Sequence, residues 1–180
     1  MTNDIASELA KLHELKGAEY SRQVERIALR NEFAPMENED NIFTTGGLGE
    51  DKDNLLNAAR KAVEYGYRVF ILPNPKGTRT ADFIFELKGI YIMYDLKTIQ
   101  GSNSVGSRLL ESIGQSNRIL LNMATSYNAR LLASDIKSYF EANRSAIEVL
   151  IFKGRKKICI TRRFASNPKF NRLFRRIYEK

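Results

Sequence analysis

The chain has 180 residues, 29 Lys/Arg against 21 Asp/Glu, a formal net charge of +8, one cysteine and one histidine. That length suits roughly one domain with an extension. A single cysteine forms no intramolecular disulfide, and His13 alone disfavours histidine-based triads, His-pair acid–base chemistry and His-rich zinc sites.

The charge is unevenly spread. Residues 1–50 hold 5 basic and 10 acidic groups, whereas the last thirty hold 11 basic groups and Glu179 as their one acid. Such a block attracts polyanions, and nucleic acid is the partner it favours over a merely solvated basic face. No apolar run approaches a membrane span, and the N-terminus lacks the basic and apolar regions of a signal peptide. The expectation is a chain that acts in the cytoplasm, either by itself or as a fragment of a secreted or surface-delivered protein.

In chain order, Ile5, Leu9, Leu12 and Leu15 predict a helix over 3–16, and Tyr20, Val24, Ile27 and Leu29 a second over 18–33, stopped by Pro35. The acidic, glycine-bearing stretch 36–50 reads as a loop and a weak boundary. This separates an acidic helical extension, 1–50, from a main domain, 51–180. Asp51 or Asp53 caps a helix that runs to about Tyr65, with Leu55, Leu56, Ala59, Ala62 and Val63 inward and Gly66 closing it. Glu64, at its end, is either a surface glutamate or an acid aimed at the hairpin that follows.

Residues 67–73 form a buried strand. The loop 74–80 then offers Lys76 and Arg79 as phosphate contacts. From Ala81 to Thr98 the chain reads as a hairpin turned at Lys88-Gly89, with Leu87 facing Ile90, Phe85 facing Ile92 and Phe83 facing Tyr94. Beyond it come a helix over 105–116, a strand at 119–123, a helix over 133–144 and strands at 146–152 and 156–161 turned by 153–155. A final basic helix over 165–178 carries Phe170, Leu173, Phe174 and Ile177 on one stripe. Cys159 falls in a strand as a core or half-buried filler, a poor nucleophile. The element order predicts an α/β fold with one mixed central sheet flanked by helices.

The hairpin carries the chemistry. Alternation puts Phe83, Phe85, Leu87, Ile90, Ile92, Tyr94 and Leu96 on one face and Asp82, Ile84, Glu86, Tyr91, Met93, Asp95 and Lys97 on the other. Two carboxylates directly across a strand pair repel by a few tenths to ~1 kcal/mol. A divalent cation between them, Mg²⁺ or alternatively Mn²⁺, removes that cost, with water and substrate phosphate completing its shell. Lys97, two residues after Asp95, orients a water or holds charge developing on a phosphate. A solvated hairpin face with a surface ion pair gives the same spacing.

This pattern resembles the PD-(D/E)xK nuclease superfamily. The pieces LPNPKGTRTADF, YDLKT and GSNSVGSRLLESIGQSNRILLN are similar to the C-terminal nuclease domain of contact-dependent growth-inhibition toxins and related domains of mobile elements. The resemblance spans about residues 64–161. It implies a restriction-endonuclease-like core, Asp82 and Asp95 as metal ligands, Lys97 as the catalytic lysine, Gln115 holding substrate or the water network, and Glu64 as the helix acid that some members use. Ala81 departs from the pattern, where the superfamily has proline. The implied substrate is RNA, tRNA first, with DNA the other possibility, and the implied partner is an immunity protein, acidic where it covers the basic face. Arg118 and, in the basic C-terminal third, Lys156, Lys157, Arg162 and Arg163 join Lys76 and Arg79 as candidate contacts to the nucleic-acid backbone. The competing functions are a non-catalytic basic nucleic-acid-binding module and a structural protein of a mobile element.

Overall fold

A computed structural model of the chain describes residues 2–13, 15–74, 80–101, 105–114 and 116–180, with side chains from Ile5 onward. Two units divide it, Met1–Leu96 and Lys97–Lys180. Each pairs a mixed sheet with helices, so the chain is an α/β protein. Residues 1–50 fall in the first unit together with residues 51–96.

In the first unit, helices α1 (Thr2–Ala10) and α2 (Gly17–Ala28) precede strands β1 (Ala34–Met36) and β2 (Glu39–Thr44). The two strands stand where the sequence predicts a loop. They are short and acidic, with Ile42 their one fully buried side chain, so the period-2 signal is faint. Asn38, at φ 62°, turns them. Helix α3 (Lys52–Glu64) follows, then β3 (Arg68–Ile71), β4 (Phe83–Leu87) and β5 (Ile90–Ile99), which runs through the unit boundary. β2 and β3 are parallel, making β2–α3–β3 a crossover unit; β3, β4 and the first part of β5 are antiparallel.

The hairpin has the expected register, from Leu87↔Ile90 to Phe83↔Tyr94. Lys88 at φ 51° and Gly89 at φ 80° form its two-residue loop, with both central residues in the left-handed region that a type I′ turn requires. One face packs Phe83, Phe85 and Tyr94 together, with ring centroids 5.2 Å apart in each successive pair. The other face is not left to solvent. Phe70, Ile84, Tyr91 and Met93 are buried with Ile5, Leu9, Tyr20, Val24 and Ile27 of α1 and α2.

The docking of α2 is specific as well as apolar. Ser21 Oγ accepts the Tyr91 N–H at 2.9 Å, and Tyr20 Oη accepts the Met93 N–H at 2.8 Å. An otherwise unsatisfied buried amide is costly, so these hydroxyls stand in for a neighbouring strand. His13 serves the same helical layer: its Nδ1–H donates to Ala10 O at 2.6 Å, at the end of α1.

In the second unit, α4 (Val105–Glu111), β6 (Arg118–Met123), α5 (Ala129–Ala142), β7 (Glu148–Lys153) and β8 (Lys156–Thr161) lead to α6 (Arg162–Ala165) and α7 (Phe170–Glu179). β6 and β7 are parallel, β7 and β8 antiparallel. Tyr127 Oη accepts the Val105 N–H at 3.2 Å and donates to Asp135 Oδ2 at 3.0 Å, fixing the start of α4. α4 is shorter than expected, and Leu110 and Ile113 lie exposed, while Leu109 is buried. The single final helix of the sequence reading is two helices, because Ser166-Asn167-Pro168 interrupts it. The buried stripe of α7 is Phe170, Phe174 and Tyr178, spaced by four; Ile177 is exposed.

Replacing Tyr20 with Phe removes the acceptor for the Met93 N–H while keeping the ring. The expected outcome is a loss of about 1–3 kcal/mol in unfolding free energy, read as a lower urea midpoint at unchanged slope.

Candidate functional site

Asp82 stands at the open end of β4, one residue beyond the last paired position of the hairpin. Its N–H donates to Tyr94 O at 3.0 Å, and its C=O accepts the Leu72 N–H at 2.9 Å, so the backbone is held by both neighbouring strands. Its carboxylate has a definite place too: Oδ2 accepts the Leu96 N–H at 2.7 Å. That amide is the peptide bond joining Asp95 to Leu96. The Asp82 carboxylate therefore lies against the Asp95–Leu96 peptide, just beyond Phe83↔Tyr94, the last pair of the hairpin register.

Asp95 is 7% exposed. It follows Tyr91 and Met93 on the strand face covered by α1 and α2 in its middle. A solvated hairpin face does not describe it. Lys97 lies two residues further along β5, at the start of the second unit, and is half-buried.

Glu64 does not join the pair. It is exposed at the C-terminal end of α3, just ahead of β3. Arg68, at the start of β3, pairs with Glu86, whereas Ile71, at its end, pairs with Phe83 next to Asp82. The length of β3, about 13 Å of strand, separates Glu64 from Asp82. Its charge instead acts locally on Lys61 and Tyr65. Gln115, Lys76 and Arg79 lie outside the described residues.

A feature the sequence reading did not find borders Asp82. A cavity of about 520 Å³ opens at the carboxyl ends of β2 and β3, lined by the loop Thr44–Asp51, by Ile71 to Asn74, by Leu55 and by Asp82. The signal was present in the sequence as TTGGLGE ahead of a helix. It reads there as a plain loop because β2, which precedes it, buries only Ile42 and shows no strand pattern.

The donor set is oxygen only and suits a hard divalent ion such as Mg²⁺ or Mn²⁺. Among the described residues no group of three or more His, Cys, Asp or Glu could hold an ion. Two neighbouring carboxylates match Mg²⁺, which keeps several waters and takes one or two protein carboxylates plus substrate phosphate. They do not make an all-protein cage.

The basic candidates divide by environment. Arg118 is 5% exposed within β6, so it does not present its charge to a polyanion. Arg162 caps α5: its guanidinium donates to Phe140 O at 2.9 Å and to Ala146 O at 3.0 Å, and also to Asn143 O. It also lies 5.2 Å from the Phe140 ring centroid. Lys156 Nζ donates to Ile177 O at 3.2 Å and Tyr178 O at 3.3 Å, closing the C-terminus of α7 beside Lys153. Unsatisfied carbonyls at helix ends attract such cations, so these charges are engaged in the fold. Lys157 and Arg163 are exposed and remain the surface cations of the set, with Lys169, Arg172 and Arg176 beside them in the sequence's basic end.

Cys159 is exposed on β8, not a core filler. Desolvation of the thiol, and then the Glu148 carboxylate to which Sγ donates at 2.9 Å, push its pKa up to about 12. It is protonated at neutral pH and is no nucleophile.

No protein-family model matches the chain, and no curated protein matches it. Among solved structures, the chain is similar to one described as a CdiA-CT/CdiI toxin and immunity complex from Burkholderia pseudomallei. The similarity has 15% identity and a TM-score of 0.40, over 61% of this chain and 83% of that one. A likeness at that level carries no functional argument.

Three outcomes test this division of the cations and the state of the thiol. Arg162→Ala is expected to cost about 2–3 kcal/mol of stability, since it orphans several helix-end carbonyls. Arg163→Ala is expected to leave stability within about 0.5 kcal/mol and to lower the salt slope of polyanion binding by about 1. Alkylation of Cys159 at pH 8 is expected to run slower than that of an ordinary cysteine by on the order of a hundredfold or more, and to accelerate as pH rises toward the raised pKa. Chemical denaturation, salt titration and mass spectrometry read these three.

Proposed function

We propose that the chain is a metal-dependent endonuclease that hydrolyses phosphodiester bonds, with RNA, and tRNA in particular, ahead of DNA. The observation that carries this reading is the hydrogen bond from the Leu96 N–H to the Asp82 carboxylate, which sets that acid against the backbone of a buried Asp95. A fold that wanted only a stable hairpin has no use for two neighbouring acids at its end. Asp82 and Asp95 would hold a divalent cation, Mg²⁺ or Mn²⁺. When bound, the ion supplies Lewis acidity toward a phosphate oxygen. Lys97 carries the remaining role, fixing a water or holding charge on a non-bridging oxygen as the bond to phosphorus changes.

The preference for RNA and a neutralising immunity protein as partner come with the resemblance of ADF, DLKT and GQSNR to toxin nuclease domains; action in the cytoplasm belongs to the same proposal. The exposed basic groups of the second unit suit both a nucleic-acid backbone and an acidic partner protein. No helix among the described residues is long and apolar enough to cross a membrane.

The test is cleavage of total tRNA and of plasmid DNA by the purified chain, with Mg²⁺, with chelator, and with Asp95→Ala or Lys97→Ala. The expected result is cleavage of RNA that stops in chelator and falls about a hundredfold or more in either variant. Salt-sensitive binding without cleavage of either substrate, or cleavage indifferent to chelator and to Asp95, overturns the enzyme and leaves a nucleic-acid-binding module.

A further inference from the structure

We propose that the crevice at the carboxyl ends of β6 and β7 is a binding site for a phosphate monoester, held by Lys153, Arg155 and Lys156. The proposal goes beyond the nuclease reading and uses residues of the second unit alone.

The position follows from the chain path. β6 and β7 are parallel and α5 joins them, and such a unit binds ligands in the crevice outside the carboxyl ends of its strands. A cavity of about 570 Å³ lies there. Thr125 and Ser126 of the loop after β6, the β7–β8 turn from Lys153 to Lys156 and the end of α7 line it.

The turn brings together charges that repel. Lys153 and Lys156 are the last register pair of β7 and β8, directly opposite one another across Gly154-Arg155. Like charges in that relation destabilise a strand pair. The two side chains nevertheless converge: Nζ of Lys153 and Nζ of Lys156 donate to the same oxygen, Tyr178 O, at 2.6 and 3.3 Å. Burial, and then the neighbouring Lys156, push the pKa of Lys153 down.

The balance of charge at the crevice is positive. The carbonyl end of a helix carries roughly half a negative charge, against a full positive charge on each ammonium. Carbonyls are neutral acceptors, so they fix the two ammoniums in place without discharging them. Glu179, on the same rim, is paired with Arg175 at 3.6 Å. Arg155, exposed in the turn, adds a guanidinium. An anion in the cavity offsets the repulsion that the hairpin register imposes.

Shape and charge then select the anion. Lys153 uses one of its three donors on Tyr178 O, and a guanidinium presents a planar fork that matches phosphate oxygens. Thr125 and Ser126 add hydroxyl donors. A phosphate monoester brings a charge of about −1.5 to −2 at pH 7 and three acceptor oxygens. A carboxylate or a backbone diester brings a single charge and fewer free oxygens, so it leaves more of the cationic wall unmatched. The ends of nucleic-acid strands and free nucleotides both present the monoester.

The experiment titrates the full chain, in chelator, by calorimetry or NMR. The probes, each alone, are adenosine, adenosine 5′-monophosphate, inorganic phosphate, and a uridine trinucleotide with and without a 5′-phosphate. The expected result is saturable binding of the monophosphates, with adenosine and the 5′-hydroxyl trinucleotide at least about tenfold weaker. Arg155→Ala, at an exposed turn position, is expected to weaken monophosphate binding about tenfold at an unchanged urea midpoint. Lys153→Met provides a second variant with the same expected loss of binding. Lys157→Ala removes a charge from the same hairpin outside the cavity and is expected to weaken binding less than about twofold. A phosphorylated trinucleotide that binds tighter than the mononucleotide names a strand end as the source, and the reverse order names a free nucleotide; either sustains the site. No saturable binding of a monophosphate, adenosine bound as tightly as its monophosphate, or equal losses in Arg155→Ala and Lys157→Ala overturns it. Metal-dependent cleavage by a chain that binds no monophosphate removes this site and leaves the nuclease reading standing. Monophosphate binding by a chain that never cuts does the reverse.

Discussion

The two-residue turn at Lys88-Gly89 is the constraint on which the first unit depends. Side chains alternate along a strand, so a slip of one residue would move Asp95 and Lys97 to the opposite face and bring Leu96 into their place. The turn excludes that slip because its two left-handed positions admit only one pairing, Leu87 with Ile90. From there the ladder counts down to Phe83 opposite Tyr94 and leaves Asp82 at the open end. The hydrogen bond from Leu96 to the Asp82 carboxylate is the far consequence of a loop five residue pairs away.

The helices α1 and α2 cover one face of that hairpin. Without them, the face bearing Tyr91, Met93 and Asp95 would be open to water, where two carboxylates are cheap to solvate and weak as ligands. The helices bury the middle of the face and satisfy the Tyr91 and Met93 amides with side-chain hydroxyls. The acidic N-terminal segment is therefore part of the fold that holds the acids, not an appendage to it.

In the second unit, charge has a divided purpose. Arg162 and the pair Lys153 and Lys156 close the ends of α5 and α7, where orphan carbonyls gather negative potential. Lys153 also sits 3.6 Å above the Tyr178 ring, and desolvation lowers its pKa. Phe170, Phe174 and Tyr178 stack along α7 at 5.4–5.6 Å between centroids, so the helix carrying the most basic sequence is held by an aromatic stripe. A net charge reports none of this division; only the cations that face water contribute to attraction of a polyanion.

The hairpin, its register, the turn, β3, β6, β7 and β8 were legible in the sequence because the information is local: alternation of period two, β-branched and aromatic runs, and glycine where φ is positive. The place of Asp82 just beyond the hairpin's last pair was legible for the same reason, since it follows from counting along two strands. Everything that depends on a partner distant in sequence was not. β1 and β2 carry too few apolar residues to show a pattern, yet pairing of β2 with β3 and of β1 with β2 makes them strands, and without β2 the glycine loop has no strand to follow. Glu64 has the right chemistry for a third acid, but α3 delivers it to the wrong end of β3. Arg118 and Arg162 look like their neighbours Lys157 and Arg163, and only packing turns two of them inward. Sequence by itself determined which backbone conformations and pairings were available; tertiary structure decided which charges were buried, which were spent on helix ends and which faced water, because burial is a property of three-dimensional neighbours and leaves no periodic mark on a polar residue.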